Sequence, residues 1–130
     1  MSIYKKCKPV RDRALYDLYL FENPACQICG RTKNLSRHHI IGGVGRSDER
    51  CNLIVACLVL CHPLAEGARV VHLGERFEPL TLGQVLSIKA MRSPEEWNGS
   101  RLEELRGSAL PEMEPIPCWV QEMWSGTRKR

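Results

Sequence analysis

Two pairs of closely spaced cysteines constrain the fold of this chain more than any other feature. Two residues separate Cys26 from Cys29, and three separate Cys57 from Cys61. The first spacing lets one tight turn direct two sulfurs at the same ion, and a second pair at the start of a helix can close a tetrahedral site. We therefore predict one structural zinc ion held by four cysteines, in a chain of 130 residues that is long enough for one small domain.

The cysteine count and the start of the chain favour a bound metal over disulfides. Seven cysteines cannot all be paired within one chain. Met-Ser-Ile-Tyr-Lys-Lys is not followed by the apolar run of a secretory signal, and no stretch approaches the length that crosses a bilayer. We expect a reducing, cytoplasmic location, which is the host cytoplasm if the chain is phage-encoded, and no membrane partner.

Two other interpretations of the cysteines stay open. A buried cysteine can serve as a small apolar side chain, and this is the interpretation that we favour for Cys7, Cys51 and Cys118. Alternatively, Cys26 and Cys29 could form a redox dithiol, although the βαβ pattern that usually accompanies one is missing around them. A redox or metal-sensing protein therefore remains an alternative.

Hydrophobic periodicity divides the chain into three segments. We predict a basic helical extension (residues 1–22), a cysteine-rich core (23–68), and an extension of hairpin and helices with a basic tail (69–130). Apolar residues at helical spacing predict a helix over 9–21 in the first segment.

Within the core, the pattern predicts a short strand over 35–41 and a turn or second strand from Asn52. A helix should then carry Cys61 and His62 and end at Gly67, since glycine is typical of the position after a helix.

Beyond the core we predict a hairpin over 69–77, a helix over 81–91, and a second helix starting at Ser93. The prediction of this second helix rests on Ser93 as the capping residue, Pro94 at the first helical position and Glu96 three residues after the serine. We expect the proline-containing tail to be extended and to dock through Trp119 and Trp124.

Three of the four histidines lie in the segment that the cysteine pairs enclose. They are His38, His39 and His62, and Asn52 lies between them in sequence. Because a zinc site would bring both ends of this segment together, we expect the histidine pair to lie near His62.

This ordered series resembles the HNH endonuclease family in its zinc-bearing ββα-metal form, which is frequent in phages and mobile elements. The resemblance rests on Cys26-x-x-Cys29, Leu35-Ser-Arg-His-His-Ile-Ile-Gly-Gly43, Asn52-Leu-Ile-Val-Ala-Cys57 and Cys61-His62, and it covers roughly forty residues. It implies an α+β fold, with a ββα-metal core that a four-cysteine zinc site holds together and helices on either side.

The resemblance also implies a role for each polar residue. His38 and His62 would ligate a catalytic divalent cation, magnesium or manganese, His39 would act as the general base, and Asn52 would hydrogen-bond and orient that base. The chain would then hydrolyse phosphodiester bonds of DNA, double-stranded in the first instance, by a one-metal mechanism, alone or as a homodimer. The alternative is a zinc-stabilised nucleic-acid-binding module that does not cleave.

Elementary chemistry agrees with this assignment of roles. Imidazole titrates near neutral pH and can take a proton from water, and a cation with open coordination positions can neutralise a leaving oxygen. Since only a deprotonated histidine can be a base or a ligand, activity should fall in acid.

Three features depart from the family pattern. The extra residue between Cys57 and Cys61 moves His62 by one position, which is a rotation of about 100° on a helix. Glu66 occupies a position where family members often have a further histidine. His38 and His39 are adjacent, so a regular strand would direct them to opposite faces.

Basic residues suggest a polyanionic partner. The net charge is +4, with clusters at Lys5, Lys6, Lys8, Arg11 and Arg13 and at Arg128, Lys129 and Arg130. Near the histidines, Arg46 and Arg50 are our candidates for contacts with substrate phosphates, because a guanidinium matches phosphate geometry. Simple solvation of these charges is the competing interpretation.

Overall fold

A computed structural model describes residues 9–128 of the chain. The predicted basic residues Lys5, Lys6, Lys8, Lys129 and Arg130, together with Cys7, lie outside the described residues.

The described chain is a mixture of helices and two small antiparallel sheets, which confirms the α+β class. The elements are α1 (Arg13–Glu22), β1 (Leu35–His39), β2 (Leu53–Cys57), α2 (Cys61–Ala65), β3 (Val70–His72), β4 (Glu75–Phe77), α3 (Leu82–Arg92), α4 (Gly99–Arg106) and α5 (Cys118–Ser125), with short 3-10 turns at Gly43–Gly45 and Arg50–Asn52.

The first sheet pairs β1 with β2, from Leu35 opposite Cys57 to His39 opposite Leu53. Every residue of β2 is buried, because both faces of the sheet are covered. On one face, Leu53 and Val55 pack against Tyr19 of α1. On the other face, β2 joins the main core, to which α2, α3, α4 and α5 all contribute. A strand covered on both sides needs a continuous apolar sequence, as β2 has.

A buried lysine connects α3 to the first sheet. Lys89 is fully buried, and its Nζ donates to the backbone carbonyls of Arg50 and Leu53 at 2.8 Å each. The same Nζ lies 2.6 Å from Oε1 of Glu96 and 3.0 Å from the hydroxyl of Tyr19. Burial lowers the pKa of Lys89, and the hydrogen bond and charge of Glu96 oppose that shift. This network holds the carbonyls on both sides of Asn52.

We expect Lys89→Met to lower the free energy of unfolding by about 3–5 kcal/mol, because it leaves Glu96 without its cation and removes one hydrogen-bond donor from each of two backbone carbonyls. Urea unfolding measures this difference. The double variant Lys89→Met/Glu96→Gln should recover part of the loss, since it removes the stranded charge. A single variant within 1 kcal/mol of wild type would show that the network contributes little.

The C-terminal extension folds largely as predicted, with two corrections. The hairpin and α3 form where expected, and Thr81 and Gln84 build a capping box at the start of α3. The predicted helix start at Ser93 is wrong: Ser93 ends α3, and α4 begins after its cap, Asn98. The intervening turn returns Glu96 to Lys89, and this tertiary contact overrides the local capping pattern.

The tail is extended only as far as Pro117, after which α5 forms. The predicted docking by its tryptophans is confirmed. Nε1 of Trp124 donates to the carbonyl of Ile28 at 2.8 Å, and Trp119 packs edge-on against Phe77 with ring centroids 5.0 Å apart. The C-terminal segment therefore covers the cysteine-bearing turn directly.

Candidate functional site

The four paired cysteines form one buried cluster. Sulfur atoms of Cys26, Cys29, Cys57 and Cys61 all lie within 4.8 Å of one another, and each residue is at most 2% exposed. Such a set is suited to a structural metal such as zinc, because four thiolates close a tetrahedral site. The prediction that these four residues converge is confirmed.

Backbone geometry prepares these sulfurs for a cation. The Sγ of Cys26 accepts hydrogen bonds from the amides of Cys29 and Cys57, at 3.3 Å each, and the Sγ of Cys57 accepts one from Cys61 at 3.4 Å. Hydrogen bonding with Cys26 lowers the pKa of Cys57 and raises the pKa of Cys61. A bound divalent metal would stabilise all four side chains as thiolates, which is the form that ligates zinc.

A second cluster joins β1 to α2. Ligand atoms of His38, His62 and Glu66 lie within 4.8 Å of one another, and the two imidazole rings are 5.1 Å apart. The extra residue between Cys57 and Cys61 therefore does not carry His62 away from His38. Glu66 is 60% exposed at its side chain, so the cluster opens to solvent. Two histidines and a carboxylate at this spacing form a donor set that could hold a metal ion.

Ser36 sets the orientation of the His62 ring. Its hydroxyl donates to the carbonyl of Ala56 at 2.8 Å and lies 2.5 Å from Nδ1 of His62. With its single proton donated to Ala56, the hydroxyl oxygen would accept the Nδ1 proton of His62, and the neutral ring would then keep its lone pair on Nε2. That Nε2 lies 2.9 Å from Oε1 of Glu66. A lone pair on Nε2 and a carboxylate oxygen repel each other at this distance, unless a cation or a shared proton lies between the two atoms.

The environment of His38 keeps its ring neutral. Burial, with smaller contributions from the charges of His62 and His39, lowers the pKa of His38 to about 4. A neutral imidazole is the form that ligates a metal.

Substituting Ser36 should weaken this second site without unfolding the protein. We expect Ser36→Ala to reduce manganese affinity by about 10–100-fold, because His62 loses the partner that fixes its tautomer. Manganese titration of the zinc-loaded protein measures the change. Ser36→Thr keeps a hydroxyl and should retain most of the affinity, and Ser87→Ala is the matched control on α3. Unchanged manganese affinity in Ser36→Ala would contradict a role for this hydroxyl.

His39 faces the opposite side of β1, as the alternation of a regular strand requires. Its ring stacks on Tyr16 of α1 at a centroid distance of 5.6 Å, and the guanidinium carbon of Arg37 lies 4.2 Å from the centroid of the same Tyr16 ring. Its Nε2 lies 2.9 Å from Oδ1 of Asp48. A carboxylate at this position holds the proton on Nε2 and leaves the lone pair on Nδ1.

Asp48 itself is held by several donors. Burial raises its pKa, but hydrogen bonds from His39 and from the amide of Asp12, with the charges of His39 and Arg11, outweigh burial and bring the pKa below its ordinary value. Asp48 is therefore an anion at neutral pH, which suits a group that orients a histidine.

The expected contact between Asn52 and His39 is corrected by the structure. Asn52 is fully buried, and its Oδ1 accepts from the amide of Ile41 at 2.7 Å. Its Nδ2 donates to the carbonyls of Ile41 and Ser47 at 3.2 and 3.1 Å. Asn52 thus holds the loop between β1 and β2, and it supports the position of Asp48 through the backbone. In the folded core the side-chain amide bonds to backbone groups of this loop and not to His39.

The two candidate arginines differ in their surroundings. Arg46 lines an open cavity of about 340 Å³ next to His39, together with Arg11, Arg13, Tyr16 and Asp48. Arg50 instead donates from Nε and Nη2 to the two carboxylate oxygens of Glu22, at 3.1 and 2.7 Å. Its guanidinium is engaged in a bidentate ion pair away from this cavity.

Sequence reasoning missed three groups at these sites. Asp48, Ser36 and Tyr16 belong to a loop, a strand and a helix whose contacts with the histidines depend on the fold. Ser36 offered the only local signal, because it lies two residues before His38 and thus on the same face of a strand.

Comparison with known proteins adds no relative to this picture: no family model, curated protein or solved structure matches the chain. Within residues 9–128, no helix combines the length and apolar character needed to cross a membrane.

Proposed function

We propose that this protein is a metal-dependent endonuclease that hydrolyses phosphodiester bonds of double-stranded DNA. In this proposal β1, β2 and α2 form a ββα-metal core, the four cysteines hold structural zinc, and a magnesium or manganese ion binds at the second cluster. One observation carries the proposal. Two consecutive residues of β1 have different surroundings: His38 belongs to a cluster that could hold a metal ion, and His39 is hydrogen-bonded to a carboxylate.

His38, His62 and Glu66 would hold the catalytic cation. When bound, a divalent cation at these residues supplies charge neutralisation for the leaving oxygen. Ser36 keeps the lone pair of His62 directed toward the cluster, and the low pKa of His38 keeps that ring unprotonated.

His39 is the proposed general base. Its Nδ1 takes a proton from the attacking water, and Asp48 stabilises the imidazolium that forms. Tyr16 stacks on the ring and limits its rotation.

The opposite orientations of His38 and His39 suit the stereochemistry of the reaction. Attacking and leaving oxygens lie roughly in line on opposite sides of phosphorus. A phosphate seated at the end of β1 would then have the base on one side and the metal ligands on the other. In the described residues β1 pairs with β2 alone, so its outer edge carries no neighbouring strand.

Plasmid nicking by the purified zinc-loaded protein tests the proposal. We expect supercoiled DNA to be nicked when magnesium or manganese is added, and to stay intact without an added divalent ion. If the folded protein retains zinc and binds the plasmid but never nicks it, the non-cleaving binding module replaces the nuclease.

A further inference from the structure

We propose that the cavity next to His39 binds a second phosphate of the substrate strand, adjacent to the one that is hydrolysed. The substrate would then be a continuous polynucleotide and not an isolated phosphodiester. The identity of the ligand as a nucleic-acid strand rests on the proposed function. The cavity itself is described by its own residues: Arg11, Arg13, Tyr16, His39, Arg46 and Asp48.

The charge in this cavity favours an anion. Three arginines line it, against a single carboxylate, Asp48. That carboxylate is already engaged, because His39 lies 2.9 Å from its Oδ1 and the amide of Asp12 donates to its Oδ2 at 2.9 Å. The cavity therefore presents a net positive surface, and arginine is the side chain best matched to phosphate oxygens.

Hydrogen bonds hold the two sides of the cavity together before any ligand binds. The amide of Val10 donates to Oγ of Ser47 at 2.7 Å, and the amide of Asp48 donates to the carbonyl of Val10 at 2.7 Å. Arg11 adds a hydrogen bond from Nη1 to the carbonyl of Arg46. The segment before α1 and the loop after β1 thus form one unit, so little ordering accompanies binding.

Arg13 and Arg46 are the arginines best placed to meet an incoming phosphate. The side chain of Arg13 is 83% exposed, and its ion pair with Asp17 is a surface contact that an anion can displace. Arg50, in contrast, is committed to Glu22.

The position of the cavity distinguishes its ligand from the reacting phosphate. It lies on the α1 face of β1, whereas His38, His62 and Glu66 lie on the α2 face. A phosphate inside the cavity is therefore separated from the metal-ligand cluster by the strand. A neighbouring phosphate of the same strand can occupy it while the reacting phosphate contacts both sides of β1.

Salt-dependent DNA binding tests this inference without relying on cleavage. Fluorescence anisotropy of a labelled duplex, in buffer without magnesium or manganese, gives the slope of log affinity against log salt. We expect Arg13→Gln/Arg46→Gln to reduce that slope by about one, because the two arginines neutralise the same phosphate and each neutralised phosphate contributes about 0.9. Arg69→Gln/Arg76→Gln on the β3–β4 hairpin removes the same charge and should leave the slope near the wild-type value. A slope unchanged in Arg13→Gln/Arg46→Gln would overturn the inference.

Duplexes in which one phosphate is replaced by an uncharged linkage then identify the phosphate that occupies the cavity. In a set of duplexes with one methylphosphonate each, we expect one linkage whose neutralisation weakens binding of wild type but not of Arg13→Gln/Arg46→Gln. Equal effects on both proteins at every linkage would overturn the inference. Arginine-dependent binding without any nicking would support the cavity and reject the nuclease, whereas nicking with unaltered binding would do the reverse.

Discussion

Replacing His39 by alanine is expected to lower the nicking rate by about 10²–10⁴-fold, which is the usual contribution of a general base. The imidazole is placed for this role by Asp48, which holds Nε2, and by Tyr16, which stacks on the ring. Because His39 does not belong to either ligand cluster, zinc content should remain unchanged. Single-turnover nicking at saturating DNA and magnesium measures the effect on chemistry alone.

Two further variants serve as a control and a comparison for His39→Ala. His72→Ala is the matched control, since His72 lies on the β3–β4 hairpin and contacts Arg31. Asp48→Asn should give a smaller loss than His39→Ala, because it keeps the size of the side chain but removes the charge that stabilises the imidazolium. Wild-type nicking by His39→Ala would exclude this histidine as the base.

Loss of one cysteine ligand is expected to unfold most of the protein. Cys57→Ser should abolish stoichiometric zinc and the cooperative thermal transition, because structural zinc contributes roughly 10–16 kcal/mol, comparable to the entire stability of a small domain of about 5–15 kcal/mol. The cluster lies inside the main core, and Trp124 docks on the carbonyl of Ile28 between the first two ligands. Metal analysis with circular dichroism measures both consequences.

Cys51→Ala is the matched control for this experiment. Cys51 is buried but lies outside the four-cysteine cluster, so its substitution should preserve zinc and cost only a small loss of packing. If Cys57→Ser melts at the wild-type temperature, the four cysteines are core residues and not a metal site.

The segments that could be predicted are those whose signals are local. The helical period of α1, the extent of α3 and the glycine after α2 each depend on residues within a few positions. The helix start at Ser93 failed because Glu96 turns back to a lysine on the preceding helix. The helix α5 was missed because prolines dominate the tail before it, while its apolar face gains stability only by packing on the core.

The residues that can carry chemistry are identifiable from the order of amino acids alone: the two closely spaced cysteine pairs, the adjacent histidines and the later Cys-His pair. Spacing is sufficient for these, because a tight turn or a strand fixes the direction of nearby side chains. The contacts of His38 with His62 and Glu66, of His39 with Asp48, and of Asn52 with its loop depend instead on the three-dimensional fold. Those partners come from α1, α2 and the β1–β2 loop, and their approach depends on how both faces of a two-stranded sheet are covered.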